Sequence, residues 1–240
     1  MLSYKKLCKL LKLIRCKLWI KGLFNGIAAT IEHENIIKNT NPETIIDIGS
    51  NKGQFILLIE QLFPNKIIHS FEPIKEILEK QKKFFNYKKE IFFYNFALGS
   101  YPSTKEFFVT QRMDGSSFFK INSDITQNIN YKIKDQRNIQ IKTLDEMMLN
   151  QKVIQPILIK IDVQGFELEV LKGSEKILKK TSYLLIEVSE KEMYQNQPVQ
   201  DEIIAFLKDR NFHILKQSLA TNTPANVMQK DILFYKELNH

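Results

Sequence analysis

Two glycines and a more distant glutamate have a spacing that suits the binding of a nucleoside. Gly49 and Gly53 lie directly after the apolar run 44–48 and before an apolar helical pattern. Glycine lets the backbone turn tightly and approach a ligand closely, and the start of a helix offers unpaired N–H groups. Glu72 ends the next apolar run, about 20 residues beyond the glycines, where an acidic side chain can bind ribose hydroxyls. These residues predict a cofactor site.

The glycine spacing differs from the dinucleotide-binding fingerprint. A G-x-G-x-x-G motif that begins at Gly49 would need glycines where this chain has Asn51 and Gln54. The missing glycines argue against a nucleotide-binding oxidoreductase, which is the alternative enzyme class. The alternative without a ligand is that the glycines only form a turn and that Glu72 is a solvated carboxylate at the end of a strand.

Four carboxylates end apolar runs. In a parallel sheet the carboxyl ends of the strands share one edge, and ligands bind there. Carboxylates gathered at a partly buried edge need partners, so this edge suits a cationic or hydroxyl-rich ligand. Lys160 precedes one of the four by two residues, lies on the same face of its strand and could tune that carboxylate. The four residues are Asp47, Glu72, Asp162 and Glu187.

Short apolar runs alternate with helical patterns from residue 44 onward. Most of the runs lack polar alternation, as expected for strands buried on both faces of a parallel sheet. The alternation predicts a doubly wound α/β fold. The strand-like runs are 44–48, 66–71, 91–96, 156–161 and 183–188, and the helical patterns are 53–63, 74–85, 166–180 and 199–210.

Two further stretches complete the predicted body of the protein. The runs 213–216 and 231–235 are joined by a polar stretch without helical period, which predicts an antiparallel pair that closes the sheet. Residues 101–138 are polar and poorly patterned, so we expect a long insertion or lid. No cluster of His and Cys has the spacing of a zinc site, and no metal is expected.

The positive charge of the chain is concentrated at its beginning. Residues 1–31 contain seven basic residues and no acid, whereas the remaining 28 basic and 27 acidic residues nearly cancel. The balanced body argues against nucleic acid as a partner. Residues 1–40 are predicted to be a helical appendage to a domain at 41–240.

Apolar residues recur at spacings of three and four in the basic segment, which predicts one amphipathic helix. We expect this helix to pack on the domain with its lysines solvated, and contact of residues 1–21 with an anionic membrane is the alternative. Cys8 and Cys16 would be roughly 12 Å apart within one helix, too far for a disulfide, which favours a reducing compartment such as the cytoplasm. The apolar residues are Leu7, Leu10, Leu11, Ile14 and Leu18.

Several motifs together resemble the FkbM family of class I S-adenosylmethionine-dependent methyltransferases. In order, these are TIIDIGSNKGQF, HSFEP, NFALGS, GSS at 115–117, TLDE, ILIKIDVQGFELEVLKG and LLIEVS. The resemblance covers roughly residues 25 to 236. It implies a seven-stranded sheet with an antiparallel strand near one edge, S-adenosylmethionine as methyl donor, and O-methylation of a hydroxyl on a small molecule or glycan.

The resemblance also implies roles for individual residues. Glu72 would bind the ribose of the donor, and Ala97 would lie near its adenine. Asp162, Gln164 and Glu167 match an acidic motif in which many members carry Glu at the position of Gln164. The residues that would hold the methionine part of the donor are Asp47, Gly49, Asn51 and Gly53.

An acceptor hydroxyl must lose a proton, and Asp162 is the first candidate for the base because it ends the strand expected beside the first one. The same residue could instead order the donor or cap the following turn. Glu187 and His33 are further candidates, the latter because the run around it resembles a segment of a family subgroup. A non-catalytic scaffold that uses the basic helix is the alternative outside the enzymes, and the oligomeric state is left open.

Overall fold

Two sheets carry the strands of the computed structural model, which describes residues 4–111, 115–122, 132–223 and 227–238. In chain order the strands are β1 (Thr44–Ile48), β2 (Ile67–Phe71), β3 (Ile91–Tyr94), β4 (Ala97–Leu98), β5 (Ser103–Thr110), β6 (Ile133–Lys142), β7 (Ile157–Ile161), β8 (Tyr183–Ser189), β9 (His213–Gln217), β10 (Thr221–Asn222) and β11 (Met228–Tyr235).

The larger sheet has the order β3-β2-β1-β7-β8-β11, and both β9 and β10 pair with β11. The first five of these strands are parallel, and β11 is antiparallel to its neighbours. The predicted, mostly parallel α/β sheet with an antiparallel strand near one edge is therefore confirmed. It has an eighth strand beyond the predicted seven, because the two-residue β10 also pairs with β11.

The helices cover both faces of this sheet. Those after β7 and β8 contribute to the buried cluster around Ile46, whereas the helix after β1 contributes to the cluster around Ile45. Neighbouring residues of β1 thus point into opposite cores, which explains the absence of polar alternation. The helices are α1 (Tyr4–Leu13), α2 (Lys17–Phe24), α3 (Glu34–Ile37), α4 (Gln54–Leu62), α5 (Lys75–Phe84), α6 (Leu144–Met148), α7 (Glu167–Lys172), α8 (Glu175–Leu178) and α9 (Gln200–Lys208), with a 3₁₀ turn at Ile31–His33.

The stretch 101–138 differs from the patternless insertion that we predicted. It contains β5 and the first part of β6, which pair antiparallel in a second sheet of order β4-β6-β5. Most residues of β6 are exposed or half-buried. The strand therefore lacks the apolar run by which a buried strand is recognised in a sequence. The predicted strand 91–96 also ends early, at Tyr94, and the next strand, β4, joins the second sheet.

The predicted helix 166–180 is two short helices, α7 and α8, separated at Gly173 and Ser174. A methyl group on Gly173 would lie 1.9 Å from the carbonyl oxygen of Gly99, so the chain between the helices is packed directly on another loop. Asp145 then accepts backbone N–H bonds from Lys176 and Ile177 at the start of α8. This contact across the fold starts the second helix.

The N-terminal segment also corrects the sequence prediction, because it forms two helices rather than one. Cys8 lies in α1 and Cys16 precedes α2, so the premise that they share a helix was wrong. The Cys16 thiol is free and donates a 2.8 Å hydrogen bond to Gln61 Oε1. None of the helices in the described ranges is long and apolar enough to cross a membrane.

Candidate functional site

A cavity of about 290 Å³ lies over the carboxyl ends of β1, β2 and β7. It contains both the glycine turn and the acidic motif that the sequence singled out. Aromatic side chains line its apolar part, among them Phe71 of β2, Phe107 of β5 and Phe96, which lies between β3 and β4. The predicted site residues that line it are Gly49, Asn51, Glu72, Ala97, Asp162 and Glu187. Asp47, Gly53 and His33 are not among its lining residues.

The glycine turn has the backbone conformation that its sequence suggests. Gly49, Asn51 and Gly53 all have positive φ angles, and Gly53 precedes α4 directly. The N–H groups of Gly49 and Ser50 both donate to the carbonyl of Phe71 at 3.1 Å. A methyl group on Gly49 would lie 1.9 Å from the carbonyl oxygen of Asp162, so the turn packs tightly on the loop after β7.

Gly49→Ala is therefore expected to destabilise the protein by about 3 kcal/mol or more, because a positive φ and an overlap with backbone add together. Gly26→Ala is the matched control, since Gly26 has nearly the same φ, 72° against 75°, but open space around it. The control should cost only about 1 kcal/mol. Urea unfolding of both variants measures the difference, and equal losses would contradict the packing argument.

Glu72 is buried at the end of β2 and supports the glycine turn. Its two carboxylate oxygens accept the N–H groups of Asn51 at 2.9 Å and Ile74 at 2.8 Å. Burial raises the pKa of Glu72 to about 7, although these two hydrogen bonds oppose the rise. The carboxylate lines the cavity, and its predicted contact with the ribose of the donor stays a prediction.

A polar network beneath the turn was not predicted. The Ser70 hydroxyl donates to Gln81 Oε1 at 2.8 Å, and Gln81 Nε2 donates to the Ser50 hydroxyl at 2.8 Å and to the carbonyl of Asn51. All of these side chains except Asn51 are buried. Gln81 lies on α5, so this network joins the turn to a helix 30 residues away, and no local pattern indicates such a contact.

Lys160 lies between two of the predicted carboxylates. Its Nζ is 3.2 Å from Asp162 Oδ2 and 3.7 Å from Asp47 Oδ1. Burial alone would lower the pKa of Lys160, but Asp162 and Asp47 outweigh it and the pKa is raised, so the lysine stays charged. Burial raises the pKa of Asp47 to about 6 despite the lysine. Within the part of the chain that the structure describes, neither Asp47 oxygen accepts a hydrogen bond.

Gln164 joins the two predicted catalytic carboxylates. Its Nε2 donates to Asp162 Oδ1 at 2.9 Å and to Glu187 Oε2 at 3.2 Å. The residue has a φ of 55°, and its Oε1 accepts a 2.9 Å hydrogen bond from the Tyr194 hydroxyl. Ser117 donates to its backbone carbonyl at 2.6 Å. Tyr194 and Ser117 were not predicted to take part in the site.

The two carboxylates held by Gln164 differ in proton affinity. Burial would raise the pKa of Asp162, but the Lys160 ammonium and the hydrogen bonds from Gln164 and Lys160 outweigh burial and lower it. The pKa of Glu187 is instead raised well above its usual range, by burial first and then by the negative charges of Asp162 and Asp231. The site thus holds an ionised aspartate beside a glutamate that binds a proton more readily.

Glu167 and His33 lie behind the walls of the cavity. Glu167 is buried and accepts the N–H groups of Gly165 at 3.0 Å and Val163 at 3.3 Å, so it fixes the turn that carries Gln164. His33 is also buried, with Nε2 3.2 Å from Asp231 Oδ2 and its ring edge-on to Phe55, which lines the cavity. The acceptor contact proposed for His33 stays a prediction.

The residues around the cavity fit a cationic nucleoside donor. Asp47 lies behind the lining, where its carboxylate is paired with Lys160 but accepts no hydrogen bond from the described residues, and the buried Asn51 Oδ1 also has no hydrogen-bond partner among them. Glu72 adds an acceptor at the end of β2, and Phe71, Phe96 and Ala97 add apolar surface. No group of three or more His, Cys, Asp or Glu side chains within the described ranges could hold a metal ion.

A mostly parallel sheet with a cavity over its first glycine turn is the architecture of the class I S-adenosylmethionine-dependent methyltransferases, which they share with other Rossmann-like enzymes. The family model described as Methyltransferase FkbM domain matches residues 47–214. The chain therefore belongs to the FkbM methyltransferase family, a family of S-adenosylmethionine-dependent enzymes.

Comparison with individual proteins gives one partial relative and many similar folds. The chain is 35% identical over 68 residues to the hexuronic acid methyltransferase AglP of Haloferax volcanii, a match that spans only 28% of each chain. TehB from Haemophilus influenzae has a similar fold, with a TM-score of 0.55 at 11% identity over 92% of this chain and 68% of TehB. Magnesium protoporphyrin IX methyltransferase (ChlM) from Synechocystis, with bound S-adenosylmethionine, gives a TM-score of 0.47 at 11% identity over 99% of this chain and 86% of ChlM.

Proposed function

We propose that the protein transfers the methyl group of S-adenosylmethionine to a hydroxyl oxygen of a small molecule or glycan. The observation that carries the proposal is that Asp162 and Glu187, bridged by Gln164, line the same cavity as the glycine turn. A neutral hydroxyl must lose its proton during transfer, and a carboxylate beside the donor can accept it. The other carboxylate and the amide can hydrogen-bond neighbouring hydroxyls of the acceptor.

The lining of the cavity also supports a sugar-like acceptor. Carboxylates and amides bind hydroxyl groups, and Phe107, Phe118 and Phe166 add apolar surface for the face of a ring. The curated relative's name records a hexuronic acid as its substrate. Two acidic side chains at the reacting end would repel a carboxylate acceptor, so methylation of a hydroxyl is favoured here over formation of a methyl ester.

The chemistry follows from position and charge. Bound S-adenosylmethionine supplies a methyl carbon made electrophilic by its sulfonium. The protein's share is to hold the acceptor oxygen in line with that carbon, about 3 Å away. Glu187 is the proton acceptor in this proposal, because its raised pKa gives it the stronger basicity. Asp162 keeps Lys160 in place and stays ionised.

Calorimetry with S-adenosylmethionine and S-adenosylhomocysteine tests the donor site, and both are expected to bind. A nicotinamide dinucleotide is expected not to bind, because the turn lacks the glycines that a pyrophosphate needs. Binding of the dinucleotide alone would support the oxidoreductase, and binding of none of these ligands would support the non-catalytic scaffold.

The acceptor is tested with radiolabelled donor on panels of neutral sugars, uronic acids and small phenols. The label should enter neutral hydroxylated acceptors as a methyl ether, which withstands mild base. A product that mild base hydrolyses is an ester and would contradict hydroxyl methylation.

The free thiol of Cys16 fits a reducing compartment such as the cytoplasm as the site of this reaction.

A further inference from the structure

The apolar side of α1 faces away from the protein. Leu10 and Leu11 in α1 and Ile14 directly after it are 40%, 49% and 51% exposed, whereas Leu13 is 2% exposed. A surface helix normally turns its apolar stripe toward the core, with polar residues outward. Three residues of the stripe predicted from the sequence to pack on the domain are thus in solvent, whereas Leu18 packs against the core as predicted.

Specific contacts hold the two N-terminal helices in this orientation. Leu13 belongs to the buried cluster that also contains Trp19 and α4. The Trp19 indole N–H donates to the carbonyl of Leu57 at 3.0 Å, and Lys9 Nζ is 2.8 Å from Glu32 Oε2. Rolling α1 to bury its stripe would pull Leu13 out of the core, so the exposure of the stripe is built into the fold.

The surroundings of the stripe are basic. Lys12, Arg15 and Lys17 are exposed beside it, and Phe24 is exposed at the end of α2. Seven basic residues and no acid occur in residues 1–31, while the rest of the chain is nearly neutral. An occupant of this surface must therefore accept aliphatic side chains and offer negative charge.

An anionic bilayer surface meets both requirements. Its boundary between headgroups and acyl chains accepts an aliphatic stripe, and its phosphates attract Lys and Arg. A second copy of the chain would bring a like-charged segment against this one and repel it. A nucleic acid would use the basic residues and leave the aliphatic stripe in water.

We propose that α1 and α2 dock the protein on an anionic membrane surface. Leu10, Leu11 and Ile14 enter the boundary between headgroups and acyl chains, and Lys12, Arg15 and Lys17 bind the phosphates. The attachment is reversible and sensitive to salt, because it combines a short apolar stripe with exposed charges. It does not depend on the acceptor or on the reaction proposed above.

Sedimentation with vesicles tests the docking on the full chain. We expect the protein to bind vesicles of an equal mixture of phosphatidylcholine and phosphatidylglycerol, to bind phosphatidylcholine alone much more weakly, and to be released from the mixture by high salt. Lack of binding to the mixed vesicles would overturn the proposal.

The triple variant Leu10→Gln, Leu11→Gln and Ile14→Gln keeps every charge and should reduce partitioning to mixed vesicles by about tenfold or more. The matched control is Leu149→Gln with Ile154→Gln, two exposed apolar residues outside α1 and α2, and it should bind like the wild type. All of these proteins should bind S-adenosylhomocysteine equally well, which shows that they are folded.

Three other results would overturn the proposal. The triple variant could bind the mixed vesicles as tightly as the wild type does. Light scattering could show a dimer that only the triple variant loses, which would assign the stripe to a second copy. The segment could instead bind nucleic acid more tightly than vesicles, with the triple variant unaffected.

Discussion

Replacing Glu187 with glutamine is expected to lower the turnover number by about a hundredfold or more, with little change in donor affinity. Glutamine keeps the shape of the side chain but cannot take the proton of the acceptor hydroxyl. Wild-type turnover should rise with pH through the pKa of Glu187, which burial and nearby acids raise. The variant should lose that dependence. Initial rates across a pH series, together with calorimetry of donor binding, measure both effects.

Two companion variants decide whether the effect belongs to this carboxylate. Asp162→Asn removes a negative neighbour of Glu187 and should move the rise in turnover to lower pH without abolishing it. Glu190→Gln, an exposed glutamate directly after β8, should behave like the wild type. If Asp162→Asn abolished turnover and Glu187→Gln did not, the proton acceptor would be Asp162, as the sequence first indicated.

The second large effect is expected for donor binding, where Glu72→Gln should raise the dissociation constant of S-adenosylmethionine about a hundredfold. The amide loses a charged acceptor for the ribose and brings an N–H₂ group against a backbone donor, Asn51 or Ile74. Wild-type affinity should also fall below about pH 7, because Glu72 has a pKa of about 7 and its protonated form is a poorer acceptor. The variant should not show this fall.

Glu167→Gln is the control for the pH effect. Burial raises the pKa of Glu167 to about 7 as well, but Glu167 does not line the cavity. Its variant should keep the wild-type pH dependence of donor binding, measured by calorimetry in the same buffers. If Glu167→Gln removed the dependence and Glu72→Gln did not, Glu72 would not be the ribose ligand.

The parts of this fold that the sequence predicts are those whose signal is local. The run 44–48 is buried on both faces and is followed directly by Gly49. The apolar run and the glycine therefore predict the strand and the turn from adjacent residues. The strand β6 was missed because its residues are mostly in contact with solvent. The basic segment was predicted as one helix that buries its apolar stripe, but a break at 14–16 lets Leu13 and Trp19 pack beside Leu18 while Leu10, Leu11 and Ile14 are exposed.

In the candidate site, too, the sequence predicts the residues that have a local signal and misses the contacts between distant residues. Asp162 and Glu187 could be proposed because each ends an apolar strand. Their link could not be proposed, because it depends on Gln164, which meets Tyr194 30 residues later and Ser117 47 residues earlier. Contacts of that kind are set by how the loops pack, and a motif of adjacent residues contains no information about them.

The contact between Gly49 and Asp162 joins the glycine turn of the donor site to the loop that carries the acidic motif. There is no room for even a methyl group between the donor turn and the acidic loop, and the Asp162 N–H donates to the carbonyl of Ile48 at 3.1 Å. The two loops must therefore move as one rigid unit. The spacing between the donor turn and the loop that carries Asp162 and Gln164 is fixed before any substrate arrives, so change in acceptor specificity during evolution is confined to the surrounding walls, above all the second sheet.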